Sequence, residues 1–107
     1  MSEKRIQQIE QRIEQIKAAL SQLGPMRPGS LTRQYKDRKN KTGAYWQISY
    51  TRQMKSRTEY VRKEWVSQVR REIANHKRFK RLIDQWVDLD IERSKLTMQM
   101  AEPQPTR

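Results

Sequence analysis

From Thr42 to Lys63 the chain reads TGAYWQISYTRQMKSRTEYVRK. Its two aromatic-bearing runs hold five cations (Arg52, Lys55, Arg57, Arg62 and Lys63) against one acid, Glu59. Guanidinium and ammonium groups meet phosphates and aromatic rings meet bases, so this mixture suits a polyanion. Just upstream, KDRKNK adds Lys36, Arg38, Lys39 and Lys41 against Asp37. The bland reading, a solvated surface, predicts signs mixed along the chain. The counts go the other way: residues 24–63 hold eleven cations and two acids, residues 1–23 four and three, residues 64–107 nine and seven. Within the last segment the sign also splits, Arg70 to Arg81 being basic and Asp84 to Glu92 acidic.

Other chemistry is missing from the sequence. The one histidine, His76, has no second histidine and no cysteine with which to complete a metal site, so it reads as a packed residue of a helical seam. Asp84, Asp88 and Glu92 recur every four residues and read as a solvated acidic face, pairing with basic residues of a neighbouring helix. The three glycines stand singly, which excludes a glycine-rich phosphate loop. No catalytic residue, metal ligand, cofactor or small-molecule substrate is expected, and the chain reads as a binder and not an enzyme.

The whole composition agrees. Of 107 residues, 24 are Lys or Arg and 12 Asp or Glu, giving a net charge of +12 with only 34% hydrophobic residues. That length supports one small core, and the charge draws polyanions. The absence of cysteine removes disulfides. No run approaches the roughly 18 apolar residues of a membrane helix and the N-terminus has no apolar signal core, so a cytoplasmic protein is expected.

Three segments must carry these groups. Ile6, Ile9, Ile13, Ile16, Leu20 and Leu23 recur at spacings of 3 and 4, which predicts an amphipathic helix over 3–23, stopped by Gly24-Pro25. Between Ser30 and Arg62 the period changes to that of strands, with Tyr, Trp, Ile, Val and Thr between turn-rich pieces, predicting a three-stranded antiparallel β-meander. On the middle strand Trp46, Ile48 and Tyr50 form the packing face, and Tyr45, Gln47, Ser49 and Thr51 the wet one. Trp46, Tyr50 and Tyr60 read as core, and Tyr45 as the ring facing a ligand. The loops fall at DRKNKTG and QMKS, and a connection of two or four residues sets Arg52 opposite Arg57.

A helical period returns over 63–100, with Trp65, Val69, Ile73, His76, Phe79, Ile83, Trp86 and Val87 in one arc. The fold expected is α+β: N-terminal helix, β-meander and long C-terminal helix, the helices forming an antiparallel coiled-coil-like hairpin. Ile6 would then meet Ile83 or Trp86, and residues 88–100 overhang or pair with a second copy. Residues 1–100 make a single domain, and 101–107 a disordered tail.

Four stretches, GPMRPGSLTRQY, GAYWQISYTR, RTEYVRKE and REIANHKRFKRLIDQW, together resemble a family of small uncharacterised prokaryotic proteins, often encoded near insertion-sequence or other mobile-element genes. The likeness spans roughly residues 20–95 and implies an architecture and a mobile-element setting, without an activity. In many relatives the loop between the first two strands carries several cysteines that look like a zinc knuckle. Here residues 36–43, KDRKNKTG, have none, so the resemblance carries no metal site, and a looser loop, or one ordered on its ligand, is expected. At the level of strand-strand-strand-helix there is also an analogy to the arm-binding sheet domains of phage-type integrases.

The reading is therefore a basic nucleic-acid-binding accessory protein, DNA favoured over RNA. The expected contacts are Arg27, Arg33, Lys36, Arg38, Lys39, Lys41, Tyr45, Gln47, Arg52, Lys55, Arg57, Arg62 and Lys63, extended along the last helix by Arg70, Lys77 and Arg81. Were the sheet to enter a major groove, Gln47, Ser49, Thr51 and Arg52 would be the readers. The rival is a coiled-coil module, binding a second copy, a transposase-like protein or another acidic partner through its helices; a regulator of structured RNA is the third.

Overall fold

The computed structural model describes residues 2–101. The first helix, α1, spans Ser2–Ser21. Strands β1 (Ser30–Asp37), β2 (Thr42–Arg52) and β3 (Lys55–Val61) follow. A short 3-10 turn at Lys63–Trp65 then leads into α2, Val66–Ala101. The architecture is the α+β arrangement expected, with boundaries within a few residues. The tail expected to be disordered lies, from residue 102, outside the described residues.

The chain divides into two compact units, residues 24–78 and residues 1–23 with 79–107. In the first, the strands form one antiparallel sheet in the order β1-β2-β3. Its core joins Ile48, Val61, Val69 and Ile73, with Leu31, Trp46 and Val66 packed against them. Strand alternation therefore puts Trp46 and Ile48 on the covered face, as their spacing requires. The chain enters this sheet through Gly29, at φ +139, where a Cβ would stand 2.8 Å from Ile48 Cγ1; only glycine fits so close to the core. Along the preceding connector, Asn75 Nδ2 donates to the Pro25 carbonyl at 2.9 Å and Arg27 N to the Glu72 carbonyl at 3.2 Å.

In the second unit Ile9, Ile13 and Ile16 of α1 are buried, as is Leu82 of α2. Arg5 pairs with Glu92 (2.7 Å) and Arg12 donates to Gln85 (3.0 Å), so the helices run antiparallel. This register lies one to two turns further along α2 than the expected meeting of Ile6 with Ile83 or Trp86. The connector at Pro25 and Arg27 occupies α2 around residues 72–75, a length that a tight hairpin would have given to α1. Residues 88–92 consequently do not overhang. Two residues of the expected apolar arc are also displaced to the surface, Trp65 at 51% and Val87 at 51% exposure, because the arc was drawn wider than the stripe the neighbours cover.

Candidate nucleic-acid interface

Unit 24–78 holds fifteen Lys and Arg against four Asp and Glu, nearly the whole of the +12 net charge. How those cations are held follows from the hairpins. Opposite partners in the β2–β3 ladder are Arg52 and Lys55, Tyr50 and Arg57, and Ile48 and Glu59. Arg57 thus faces Tyr50, not Arg52. The turn contains only Gln53 and Met54, both at positive φ (54° and 65°), the tightest form of hairpin, so Lys55 and Ser56 belong to the strand and not to a loop. The like charges of Arg52 and Lys55 consequently stand side by side at the sheet end.

The β1–β2 connection occupies the opposite end. Asp37 accepts the Asn40 backbone N–H at 3.2 Å and its Nδ2 at 2.9 Å, and these two bonds hold its carboxyl below the usual aspartate range. The cysteine-free turn is thereby closed by an Asp-Asn pair, with Lys41 at φ 53°. Lys36, Arg38, Lys39 and Lys41 surround it, all exposed. None of these four, nor Arg52, Lys55, Arg57, Arg62 or Lys63, forms a salt bridge with a described carboxylate. The free cations therefore form two clusters, one at each end of β2, and not one continuous patch.

Other expected contacts are already engaged. Arg27 pairs with Glu59 at 2.9 Å and lies 5.2 Å over the Tyr50 ring. Tyr50 also donates to Glu59 at 2.9 Å. Bonds from Arg27 first and Tyr50 second hold the Glu59 carboxyl below the ordinary glutamate range, and the bond to Glu59 pushes the Tyr50 hydroxyl up. Arg33 stands 5.7 Å over Tyr35, and Arg70 5.0 Å over Trp46. Arg70 and Lys77 flank a groove of about 370 Å³ floored by Gly29, Ser30 and Leu31. Arg81 belongs to the other unit.

The face of the sheet away from Ile48 has a different chemistry. Thr32, Gln47 and Tyr60 form one cross-strand row; Ser30, Ser49 and Thr58 another; Thr51 and Ser56 a third. Ser49 and Thr58 hydroxyls meet at 3.3 Å, those of Thr51 and Ser56 at 3.2 Å, and Gln34 Nε2 donates to Thr32 at 3.2 Å. Gln47, Ser49 and Thr51 are on this wet face as expected, whereas Arg52 alternates to the other. Tyr60, read as core, is instead 68% exposed here, because pairing with Gln47 fixes its side. Its β-strand alternation with Val61 was the signal that could have placed it.

In the helical unit, Val87, Ile91 and Met98 of α2 are 51%, 49% and 62% exposed. Arg93 pairs with Asp90 (3.0 Å) and Glu10 (3.8 Å), and Arg5 holds the Glu92 carboxyl below its ordinary range. Among the described residues no group of three His, Cys, Asp or Glu could hold a metal, and no helix is long and apolar enough to cross a membrane. His76 is half-buried on α2.

No curated protein and no solved structure matches the chain. One family does, over residues 6–71, which takes in most of α1, the whole sheet and the start of α2. The chain belongs to that family, described as a domain of unknown function, DUF6788.

Proposed function

We propose that this protein is a nucleic-acid-binding accessory protein, DNA favoured over RNA, that meets phosphates through the sheet-bearing unit. The observation that carries the reading is the imbalance of that unit, fifteen cations to four acids, with the turn and strand-end cations left without partners among the described carboxylates. Uncompensated surface charge disfavours the isolated fold and is relieved by a polyanion, whose counterions are released on contact. Beside the Lys36 to Lys41 cluster the hydroxyl and amide face offers donors and acceptors without charge, suited to edges of bases, while Arg52, Lys55 and Arg57 stand at the far end on the other face. A setting near mobile-element genes, which the resemblance suggests, and a cytoplasmic location are part of the same proposal.

A second reading, a helical interaction module, is favoured by one feature, the exposed Val87, Ile91 and Met98 at spacings of four and seven along α2.

An electrophoretic shift panel of duplex DNA, single strands and structured RNA at about 50 and 200 mM salt tests the main reading. Retention of duplex that weakens with salt, and loss of it on charge reversal at Arg38, Lys39, Arg52 and Arg57, is expected. Affinity that ignores both salt and charge reversal overturns it.

A further inference from the structure

On the wet face of the sheet, Lys36, Gly43, Ala44, Tyr45 and Tyr60 line a cleft of about 590 Å³. Three strands build it. Tyr60 lies opposite Gln47, so Tyr45, two residues before Gln47, is its diagonal neighbour on the same face. Such neighbours stand about 7–8 Å apart, within reach of aromatic side chains. Gly43, at φ +67, keeps the space beside them open: a Cβ there would stand 3.0 Å from Lys36 Cβ. Lys36 forms no salt bridge with a described carboxylate, and Arg38, Lys39 and Lys41 continue from it round the adjoining turn.

We infer that this cleft holds an unpaired nucleobase of a DNA strand, its ring stacked on Tyr60 and Tyr45 and its phosphate against Lys36. Charge complementarity selects the occupant. Two phenol rings give any base a face on which to stack, with little regard for sequence, while the adjoining cations need an anion within one nucleotide's reach. A base paired inside a duplex cannot offer its face, so the cleft gives the protein a preference for single-stranded or locally opened DNA over closed duplex. This rests on the proposed nucleic-acid reading and adds to it a site that distinguishes strand state.

The test uses the full chain with Tyr60→Ala and Tyr60→Phe, a position exposed enough (68%) that the fold does not depend on it. Affinities for a fluorescent dT 12-mer and a closed duplex of the same length are measured side by side at fixed salt. Loss of one stack corresponds to about 5- to 150-fold weaker binding of the dT 12-mer by Tyr60→Ala. Duplex affinity should stay within about twofold, and Tyr60→Phe should bind as the wild type does. Tyr60→Ala that leaves the 12-mer unchanged, or weakens 12-mer and duplex equally, overturns the cleft while leaving the basic interface standing. Wild type that binds neither ligand sinks the nucleic-acid reading itself, and the cleft with it.

Discussion

Arg38, Lys39 and Lys41 at one sheet end, and Arg52, Lys55 and Arg57 at the other, are separated by the length of β2, from Thr42 to Arg52. Ten residue steps at about 3.3 Å place the ends about 33 Å apart, close to one turn of duplex DNA. On the proposed reading, a duplex of about 20 base pairs would reach both ends, whereas one of about six, roughly 20 Å long, would reach only one at a time. Replacing either trio with glutamine removes three cations. Each phosphate contact contributes about 0.9 to the slope of log affinity against log salt, so three lost contacts flatten the slope by about 2.7. Over a fourfold rise in salt, from about 50 to 200 mM, that is about 40-fold less loss of affinity. Fluorescence anisotropy across a salt series reads the slope directly. On the longer duplex each trio should flatten it, and the two together should add, since the sites lie far apart. On the short duplex either trio alone should leave the slope nearly unchanged, because the intact end takes over. Identical slopes on the long duplex for the wild type and both variants would refute the two-ended interface.

Two further outcomes follow from the sheet itself. Ile48, on the central strand, is fully buried in the cluster with Val61, Val69 and Ile73, so Ile48→Ala should cost about 2–5 kcal/mol in urea unfolding, while Thr58→Ala on the wet face, which loses one hydroxyl contact to Ser49, should cost less than about 1 kcal/mol. Glu59 has a carboxyl pKa below its ordinary 4.5 through Arg27 and Tyr50, so the stability it contributes is present above that value and lost as pH falls through the lower folded-state pKa. Glu59→Gln should therefore remove part of the acid-side decline of the urea midpoint, and an unchanged decline would show that the carboxylate carries none of it.

Much of the architecture was legible because it rests on periodicity. The 3-and-4 spacing of Ile6 to Leu23 and the alternation of Trp46, Ile48 and Tyr50 each admit one element. The site was less legible because it depends on register. Gln53-Met54 lacks the Asn or Gly that announces a two-residue turn, so its tightness, and with it the neighbour of Arg52, could not be read locally. Tyr60 looked like core by its type, yet one residue of alternation separates it from Val61 and decides which is buried. Topology also divides the cations that sequence had run together, since successive turns of a meander lie at opposite ends of the sheet. The half-seen helical register has a similar cause: nothing in the apolar spacing of α1 reveals that the connector at Pro25 takes up part of α2.

The order β1-β2-β3 leaves β3 with one side of its backbone unpaired. A hydroxyl-rich sheet with an open edge is an invitation to add another copy's strand, and charged residues on the edge are the usual deterrent. Lys55 and Arg57 stand on that edge. The charges read here as drawing a polyanion therefore also keep copies of the protein apart, and phosphate neutralisation lifts both effects at once. On the proposed nucleic-acid reading, copies crowded on one strand would meet edge to edge with that repulsion screened.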